Sequence, residues 1–496
     1  MLALITGEGV AAQDSPALTV ASPAHFMSLD PAVAGDNFLH LGIGETLVDA
    51  DTNGRLRPGL ATDWSVSDDA LRWTFTLRDG VRFHDDTMMD ADTVKAALDR
   101  AVSMPGVLDK APIADIRADG NTIVVGLNEP FAALPAMLAH SSTVIFAPSS
   151  FDGDTAVGSV GTGPFRMTGY APPQSLDAKR FDGYWGEKAN LESFRYLSAS
   201  RAETRALMAE SGDADLVFTL DPAGFRRLQS VDGVETAAVP IPRTTIIKVN
   251  AGHPFLDAPE ARQALSLAID RAGIAAGIMR FPDSGANQLF PPALAGWHVD
   301  GMEPLVTDVD RAKSLLAELG WTPGSDGILT REGERFALTL RTYPDRPELP
   351  LIGAALQDQW RAIGIDLTVS VSNFSEIPQG DQDGSLDVAL YARNFGLIPD
   401  PIGIVIQDYG TGGGDWGTMN WDRPDVAEAV TRISRVADLA ERQADIDTVA
   451  RALQEDLPVI PVLWYQQTVA WSGDLRGVVI DPLERTYGLS QISRAD

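Results

Sequence analysis

The chain has 496 residues, of which 44% are hydrophobic, and a formal net charge of -30 from 69 acidic and 39 basic side chains. This length exceeds what one hydrophobic core usually serves, so we expect two or more lobes. The acidic surface argues against nucleic acid as a partner, and the absence of cysteine excludes disulfides, thiolate metal sites and a cysteine nucleophile. We attribute the charge to solubility rather than to a field that attracts cations.

The first residues are small and apolar and end in Val10-Ala11-Ala12 before a polar stretch. This pattern is similar to the tail of a secretory signal and its cleavage site. We therefore predict that residues 1–12 are a signal-peptide remnant and that the protein is exported. The sequence contains no run of 18 or more apolar residues, so no membrane span is predicted.

Short elements are predicted in the first half of the chain. Leu18–Ala21 is predicted as a strand and Leu41–Leu47 as a short helix. Leu71–Leu77 alternates apolar and polar residues with the period of a half-buried strand. A helix is expected to begin at Asp90–Asp92, where carboxylates face the positive end of the helix dipole.

Helices in the second half have clear boundaries. Apolar residues at helical spacing predict helices over Ala261–Ile269 and Asp308–Leu319, the latter ended by Gly320. A third helix, around Ile352–Ile363, ends at Gly364 and leads into a strand. Further strands are predicted in this half, at Ile365–Val371, Asp387–Tyr391 and Val459–Trp464. Strands alternating with helices indicate an α/β protein.

Five segments form an ordered series, which is Leu71–Asp85, Gly161–Phe165 (GTGPF), Phe181–Trp185, Phe255–Asp270 and the helix at Asp308–Gly320. In this order and at these separations they resemble the extracytoplasmic solute-binding proteins of ABC importers. The resemblance is to family 5, which takes peptides, nickel complexes and opines, and it runs from about Leu18 to about Gly488.

The resemblance implies a two-lobed periplasmic-binding-protein fold with an extra subdomain in lobe I. We expect lobe I at 13–247 plus 470–496, with the subdomain at about 48–160, and lobe II at 248–469. In such proteins the chain crosses twice between the lobes. The matching β-like stretches, expected to be short hinge strands, are Ile246–Asn250 and Tyr465–Trp471.

Standard catalytic and cofactor signatures are missing from the sequence. It contains no G-x-S-x-G elbow, no Walker A motif and no H-E-x-x-H. None of the six histidines is paired with another at helical spacing, as a metal site on a helix would require. We assign GTGPF a structural role, with its glycines expected to take unusual φ values. We predict no enzyme, no cofactor and no metal site.

The strongest ligand-contact candidates follow a predicted buried strand. The stretch Tyr391–Pro401 is expected to turn and to expose Arg393, Asn394 and Phe395. In the resembled family this turn lines the pocket, and peptide-binding members carry an aspartate where this chain has Gly396-Leu397-Ile398. Arg393 could grip a carboxylate through two hydrogen bonds or form a structural ion pair, and both alternatives stay open.

The same stretch, with Leu289–Pro292, is also similar to the nickel-binding branch. Two departures weigh against nickel. Where that branch binds the chelator with arginines, this chain has Ser141–Ile145. The loop that can supply a metal-binding histidine in that branch is Gly412–Trp416 here, and it contains no histidine. Trp416 and Trp421 are further candidates, because they could stack on a ligand. Phe290 is predicted to contact the ligand as part of an apolar wall that it forms with Trp297. Asn250 and Arg243, two polar residues near the hinge, complete the predicted contacts.

These observations predict a non-enzymatic, monomeric solute-binding protein of the periplasm. It would close on a peptide or peptide-like solute and deliver it to ABC permease subunits in the inner membrane. Alternatives are a nickel–chelator or metallophore complex, or an opine or sugar-phosphate conjugate. A secreted hydrolase, or a chemosensory or chaperone-like binding role, also stays open.

Overall fold

A computed structural model describes residues 17–104, 106–108, 111–294, 296–344, 346–396, 398–436 and 439–495. The predicted signal-peptide remnant at 1–12 lies outside the described residues. Within the described ranges, no helix combines the length and apolarity needed to cross a bilayer.

The helices are, in chain order, α1 (Pro31–His40), α2 (Ala91–Ser103), α3 (Leu134–Met137), α4 (Ala202–Ser211), α5 (Pro222–Leu228), α6 (Pro259–Leu267), α7 (Arg271–Ile274), α8 (Val309–Glu318), α9 (Glu348–Ala362), α10 (Glu376–Gln382), α11 (Ile402–Tyr409), α12 (Pro424–Ile433) and α13 (Leu439–Asp456). The strands of the first half are β1 (Thr19–Ser22), β2 (Val48–Ala50), β3 (Leu56–Pro58), β4 (Ala61–Val66), β5 (Arg72–Leu77), β6 (Ile113–Asp119), β7 (Thr122–Leu127), β8 (Phe151–Asp152), β9 (Thr155–Ala156), β10 (Phe165–Ala171), β11 (Ser175–Arg180) and β12 (Ser193–Ser198). Those of the second half are β13 (Leu216–Phe218), β14 (Val234–Val249), β15 (Thr322–Pro323), β16 (Leu329–Arg331), β17 (Glu334–Arg335), β18 (Ala337–Thr342), β19 (Asp366–Val371), β20 (Val388–Asn394), β21 (Val459–Ser472), β22 (Leu475–Arg476) and β23 (Ser493–Arg494).

One ten-stranded sheet runs through both lobes, in the order β10-β11-β12-β1-β13-β21-β14-β20-β18-β19. Its two middle strands, β21 and β14, are long and antiparallel. The first half of β14 lies beside the lobe I part of β21, and its second half pairs with β20 in lobe II. The lobes are therefore joined by two strands of a continuous sheet rather than by a flexible linker.

The register between these two strands breaks between Pro240 and Thr244. Before the break β14 faces Gln466–Ser472, and after it β14 faces Val459–Trp464. The pairing of β14 with β21 thus changes at 241–243, opposite 464–466. The expected boundaries at 247/248 and 469/470 stay predictions, and the change of partners lies a few residues before each of them.

The subdomain of lobe I contains a four-stranded antiparallel sheet in the order β4-β5-β7-β6. On β5, Trp73, Phe75 and Leu77 are buried, as the alternating pattern predicted. Helix α2 begins with a capping box in which the Asp90 side chain accepts from Thr93 N–H and the Thr93 hydroxyl accepts from Asp90 N–H. The predicted strand and helix start are both confirmed.

Lobe II is built from helices packed on β18, β19 and β20. The Asp308 side chain caps α8, and Gly320 follows its end with φ +87°. Helix α9 buries Ile352, Leu356 and Trp360 and leads through Gly364, φ +88°, into β19. The predicted helix-to-strand unit is confirmed.

The helix predicted at Leu41–Leu47 is wrong. The helix in this region is α1, and the chain leaves it at Gly42 with φ +64°. The carbonyl oxygens of Gly42 and Ile43 are then used by the GTGPF segment, accepting from Phe165 N–H and Gly163 N–H, both at 3.1 Å. In a helix these carbonyls would point along the helix axis, and they could not accept from the GTGPF segment.

The GTGPF segment packs directly on this backbone. A Cβ at Gly161 would lie 2.1 Å from the oxygen of Ile43, and one at Gly163 would lie 2.3 Å from the oxygen of Gly42. Neither glycine has a positive φ, so the expectation of unusual φ values is wrong. Glycine is required here because two stretches of backbone approach closely.

Candidate functional site

The parallel strands β18, β19 and β20 end at one edge of lobe II. Strand β14 runs antiparallel to β20 and enters lobe II at the same edge, where Arg243 pairs with Asn394. In α/β sheets, ligands bind outside the carboxyl ends of the parallel strands. This edge of lobe II is therefore where a solute is expected, and lobe I lies against it.

A cavity of about 140 Å³ lies between the lobes at this edge. Its lining comes from α1, position 141 and the segment after β22 on the lobe I side, and from β14 and the end of β20 on the lobe II side. The lining residues are Asp36, Leu39, His40, Ser141, Arg243, Asn394, Gly396, Leu483, Glu484 and Arg485. The volume is below the roughly 300–1,000 Å³ of typical ligand sites.

The lobes also touch beside the cavity. The Ala132 N–H in the subdomain donates to the carbonyl of Ser434 in lobe II at 2.7 Å. Met137 of the subdomain lies next to Gly403, where a Cβ would be 3.4 Å from its methyl group. These contacts close the cleft on one side of the cavity.

Charged groups line the cavity in pairs. Arg243 Nη2 lies 2.6 Å from Glu484 Oε2, with little of either side chain exposed. Burial lowers the pKa of Arg243, although Glu484 opposes this. Arg485 Nη2 donates to Asp49 Oδ1 at 3.0 Å. Both cations of the cavity wall are thus neutralised within the protein.

A further guanidinium lies at the same edge, beyond the cavity lining. Arg346 Cζ is 5.2 Å from the ring centroid of Tyr465, and Arg243 Cζ is 5.3 Å from it. The Tyr465 hydroxyl donates to Glu348 Oε1 at 2.9 Å. Among the described residues, the side chain of Arg346 makes neither a salt bridge nor a hydrogen bond, and the residue is only partly buried.

The surroundings of Arg346 keep it charged. Burial acts to lower the pKa of Arg346, but Tyr465 and Glu348 outweigh it, so the pKa lies above the ordinary value. Our sequence reasoning missed this residue. A signal was available, because Arg346 follows the end of β18 by four positions in a proline-flanked turn.

Arg393, the leading candidate, is held by an internal partner. Its Nε and Nη2 donate to the two carboxylate oxygens of Asp408 at 2.6 and 2.8 Å. Burial raises the pKa of Asp408, and Arg393 opposes the shift. The ion-pair alternative is therefore present in the structure, and a ligand contact by Arg393 stays a prediction.

The expected exposure of Arg393 and Phe395 is wrong. Strand β20 continues to Asn394 because β14 pairs with it along its whole length. The Phe395 N–H donates to the carbonyl of Pro242 at 2.7 Å, and its side chain is fully buried. Of the three, Asn394 lines the cavity.

Three of the aromatic candidates form core beneath the hinge. Phe395 lies edge-on to Phe290 with ring centroids 5.2 Å apart, and Phe290 lies 5.3 Å from Trp297. All three are buried. The structure brings these residues together but presents no face of them to solvent.

Trp416 lies farther along lobe II. Its ring stacks on Phe374 at 6.4 Å and meets Tyr391 edge-on at 5.1 Å, and its carbonyl accepts from the Tyr391 hydroxyl. Phe374 is 48% exposed. Stacking of a solute on this aromatic group stays a prediction.

Asn250 and Trp421 lie at the other end of the lobe II sheet. Asn250 Nδ2 donates to the carbonyl of Leu386 at 2.9 Å, and Trp421 Nε1 donates to Asp456 at 2.9 Å. The β14–β20 ladder extends from Arg243 to Val249, so Asn250, seven residues beyond Arg243, is roughly 24 Å from the cavity edge at about 3.4 Å per residue. We therefore leave both residues out of the site proposed below.

A larger hollow of about 400 Å³ lies on lobe I. It is lined by His84, Asp85, Ser159, Val160, Arg166, Met167 and Thr168. Of the residues that the structure describes, none of the predicted contacts and none from lobe II lines this hollow. In the part of the chain that the structure describes, no group of three or more His, Asp or Glu side chains is placed to hold a metal ion.

The sequence is similar to known proteins over most of its length. The family model described as bacterial extracellular solute-binding proteins, family 5, matches residues 55–416. A glutathione-binding protein, GsiB from Salmonella paratyphi A, is 29% identical over 319 residues, which are 62% of this chain and 62% of that protein. The matched region is thus less than two thirds of the relative's length.

Solved structures share the fold over nearly the whole chain. NikA from Brucella suis in complex with Fe(III)-EDTA aligns with a TM-score of 0.87 and 22% identity, covering 97% of this chain and 100% of that one. DppA from Helicobacter pylori in complex with the peptide STSA aligns with a TM-score of 0.80 and 22% identity, covering 97% and 98%. At this level of identity the likeness establishes the two-lobed α/β fold.

Proposed function

The chain belongs to family 5 of the bacterial extracellular solute-binding proteins, and from this premise we propose that it is the substrate-binding component of an ABC importer. It captures a peptide or peptide-like solute between its lobes and delivers it to permease subunits in the inner membrane. The observation that carries the proposal is the cavity at the carboxyl edge of lobe II, which residues of both lobes line. A solute there would touch both lobes at once.

Binding would be coupled to closure of the cleft. The lobes are joined by β14 and β21, whose register breaks at the crossing point. A solute that contacts both walls favours the closed arrangement, because only that arrangement makes all of its contacts. A permease could then distinguish the loaded protein by the relative position of the lobes.

The solute we propose carries a carboxylate. Arg346 supports this, because its guanidinium is charged, partly buried and, among the described residues, contacts the Tyr465 ring without a salt bridge or a side-chain hydrogen bond. A guanidinium binds a carboxylate through two parallel hydrogen bonds. A free peptide end, glutathione or an opine has such a group, and so does a carboxylate-bearing metal chelate.

We propose that the protein binds its solute without transforming it. Among the described residues that line the cavity, no nucleophile is hydrogen-bonded to a base, as covalent catalysis requires. We also propose that the protein acts as an exported, periplasmic monomer.

Native mass spectrometry of the freshly purified protein tests the proposal. We expect one solute per chain, released on unfolding with the mass of an intact peptide-like molecule. A metal-containing species would move the assignment to the chelate class. A cleft that carries no solute, or one that releases cleaved products of an added peptide, would contradict the proposed function.

Replacement of Arg346 tests the carboxylate contact. We expect Arg346→Ala to weaken solute binding at least tenfold, since a hydrogen bond to a charged group contributes about 1.5–3 kcal/mol. The matched control is Arg361→Ala, an exposed arginine of the same lobe. Isothermal titration of both variants with the released solute measures the difference, and equal affinities would refute the contact.

A further inference from the structure

One hydrophobic core extends from the subdomain of lobe I into lobe II. It contains Phe75 and Val125 of the subdomain sheet together with Leu390 and Ile402 of lobe II, all of them buried. The strands β1, β12 and β13 of lobe I contribute their buried residues to two other cores. The subdomain therefore shares apolar packing with the opposite lobe.

Helix α3 is where the subdomain meets lobe II. All four of its residues, Leu134–Met137, are buried, whereas a helix at the surface of a domain leaves one face to water. The start of α11 covers its end, because a Cβ at Gly403 would lie 3.4 Å from the methyl carbon of Met137 and 2.6 Å from Cδ1 of Ile398. Met137 of the subdomain and Ile398 of lobe II thus both lie against Gly403.

Backbone contacts flank this apolar contact. The Ala132 N–H donates to the carbonyl of Ser434, directly after α12, at 2.7 Å. We call residues 132–137 of the subdomain, with 398–403 and Ser434 of lobe II, the clasp. Among the described residues that line the interlobe cavity, none belongs to the clasp. The lobes are therefore held together at a place where the solute is not expected.

The clasp favours the closed arrangement whether or not a solute is bound. Met137 and Ile398 are each only 4% exposed, and separating the lobes would return both side chains to water. Burial of a large apolar side chain changes an equilibrium constant by about tenfold or more. A contact that only the closed arrangement makes shifts the population toward that arrangement.

We propose that the clasp keeps a fraction of the empty protein closed, so that the solute stabilises an arrangement that is already populated. Met137 and Ile398 are then positioning residues, which raise the affinity for the solute without touching it. The link to solute affinity rests on the proposed function. The closed fraction itself is a property of the empty protein, so it is tested without a solute.

The test measures the distance between two nitroxide labels by double electron–electron resonance. The chain has no cysteine of its own, so Ser65→Cys on β4 and Glu428→Cys on α12, both at exposed positions, place one label on each side of the clasp. The protein is emptied by partial unfolding and refolding, and native mass spectrometry verifies that no solute remains.

Four variants are compared in this labelled background. Met137→Lys and Ile398→Lys introduce a charge from either lobe, which is buried without a partner when the clasp is closed and reaches water when it is open. Met137→Leu is the conservative control, because it keeps an apolar side chain of similar volume. Met27→Lys adds the same charge at a methionine of lobe I that is 68% exposed.

We expect the empty parent to show the label distance of the closed structure, alone or beside a longer one. Both lysine variants should lower the ratio of closed to open protein at least about tenfold, and the two controls should leave it unchanged. An empty parent without the closed distance would overturn the proposal, and so would lysine variants that unfold cooperatively but keep the same ratio. Loss of cooperative thermal unfolding in both lysine variants would place the contact in the folding core and overturn it as well. Each of these failures would leave the proposed function standing, because no solute is used.

Discussion

Single buried charges hold parts of lobe II in place. Lys248 is fully buried, and its Nζ lies 2.6 Å from Asp381 Oδ1. It also donates to the carbonyls of Gly414 and Asp415, both at 3.0 Å. One side chain thus ties β14 to α10 and to the loop that carries Trp416.

Removing this charge should destabilise the protein. We expect Lys248→Met to lower the free energy of unfolding by about 3–5 kcal/mol, because it leaves the carboxylate and two carbonyls without their donor. The control is Lys95→Met, which breaks an exposed pair with Asp99 and should change stability by less than about 1 kcal/mol. Urea denaturation measures both, and equal effects would mean that the Lys248 contacts contribute little.

Glu45 is a second residue whose surroundings change its chemistry. Its carboxylate accepts hydrogen bonds from Thr162, Tyr184 and Trp185 at 2.7, 2.9 and 3.0 Å. Burial nevertheless dominates over these three donors and raises the pKa of Glu45 to about 7. The Glu45 carboxylate thus connects the GTGPF segment with the Phe181–Trp185 segment.

This shift predicts how stability depends on pH. Because the pKa of Glu45 is raised in the folded state from 4.5 to about 7, its contribution is full below pH 4.5 and is lost as pH rises through 7. Glu45→Gln should therefore reduce the loss of stability between pH 5 and pH 8, whereas the exposed control Glu129→Gln should not. Urea midpoints at both pH values measure this, and parallel curves for wild type and Glu45→Gln would contradict it.

The sequence is least informative about which single charged residues have partners. Arg393 was identified as a charge that needs a partner, but Asp408 is 15 positions away and is brought close by the turn into α11. Arg346 escaped attention because its lack of a partner is a property of the fold. Which charges are paired depends on packing, which no local pattern encodes.

Among the elements, the GTGPF turn is a motif that holds separate segments of lobe I together. Its backbone lies on Gly42–Gly44, and the Gly161 carbonyl accepts from His84 N–H at 2.9 Å. The motif therefore joins three separate segments of lobe I. Its glycines are required by this contact rather than by their own φ angles.

A methyl group at this contact should be poorly tolerated. We expect Gly161→Ala to lower the free energy of unfolding by about 3 kcal/mol, because its Cβ meets rigid backbone 2.1 Å away. Gly158→Ala is the control, since its nearest neighbour would be 3.8 Å away. Thermal unfolding of both should show a lower Tm for Gly161→Ala alone, and similar values would refute the close approach.

Helices with a capping residue or a terminal glycine were predictable from the sequence. Helices α2, α8 and α9 have a capping residue or a terminal glycine, and each begins or ends where those residues indicate. Strands β14 and β21 were predicted as short hinge strands, although they are continuous over 16 and 14 residues. Their length depends on partners from both lobes, which local patterns do not reveal.

For the whole molecule, the two-lobed α/β fold followed from the family resemblance, and the family match and the shared fold confirm it. The cavity did not follow, because its wall combines α1, Ser141, the middle of β14, the end of β20 with Gly396, and a segment near the C-terminus. Residues from five separate stretches meet there only after the lobes have come together.

Hydrogen exchange with and without the solute released from the purified protein tests most directly whether this cavity is the binding site. We expect slower exchange in the presence of solute on both lobes, at the end of α1, at Arg393–Gly396 and around Leu483–Arg485. Protection confined to one lobe, or centred on the hollow lined by His84 and Arg166, would contradict it.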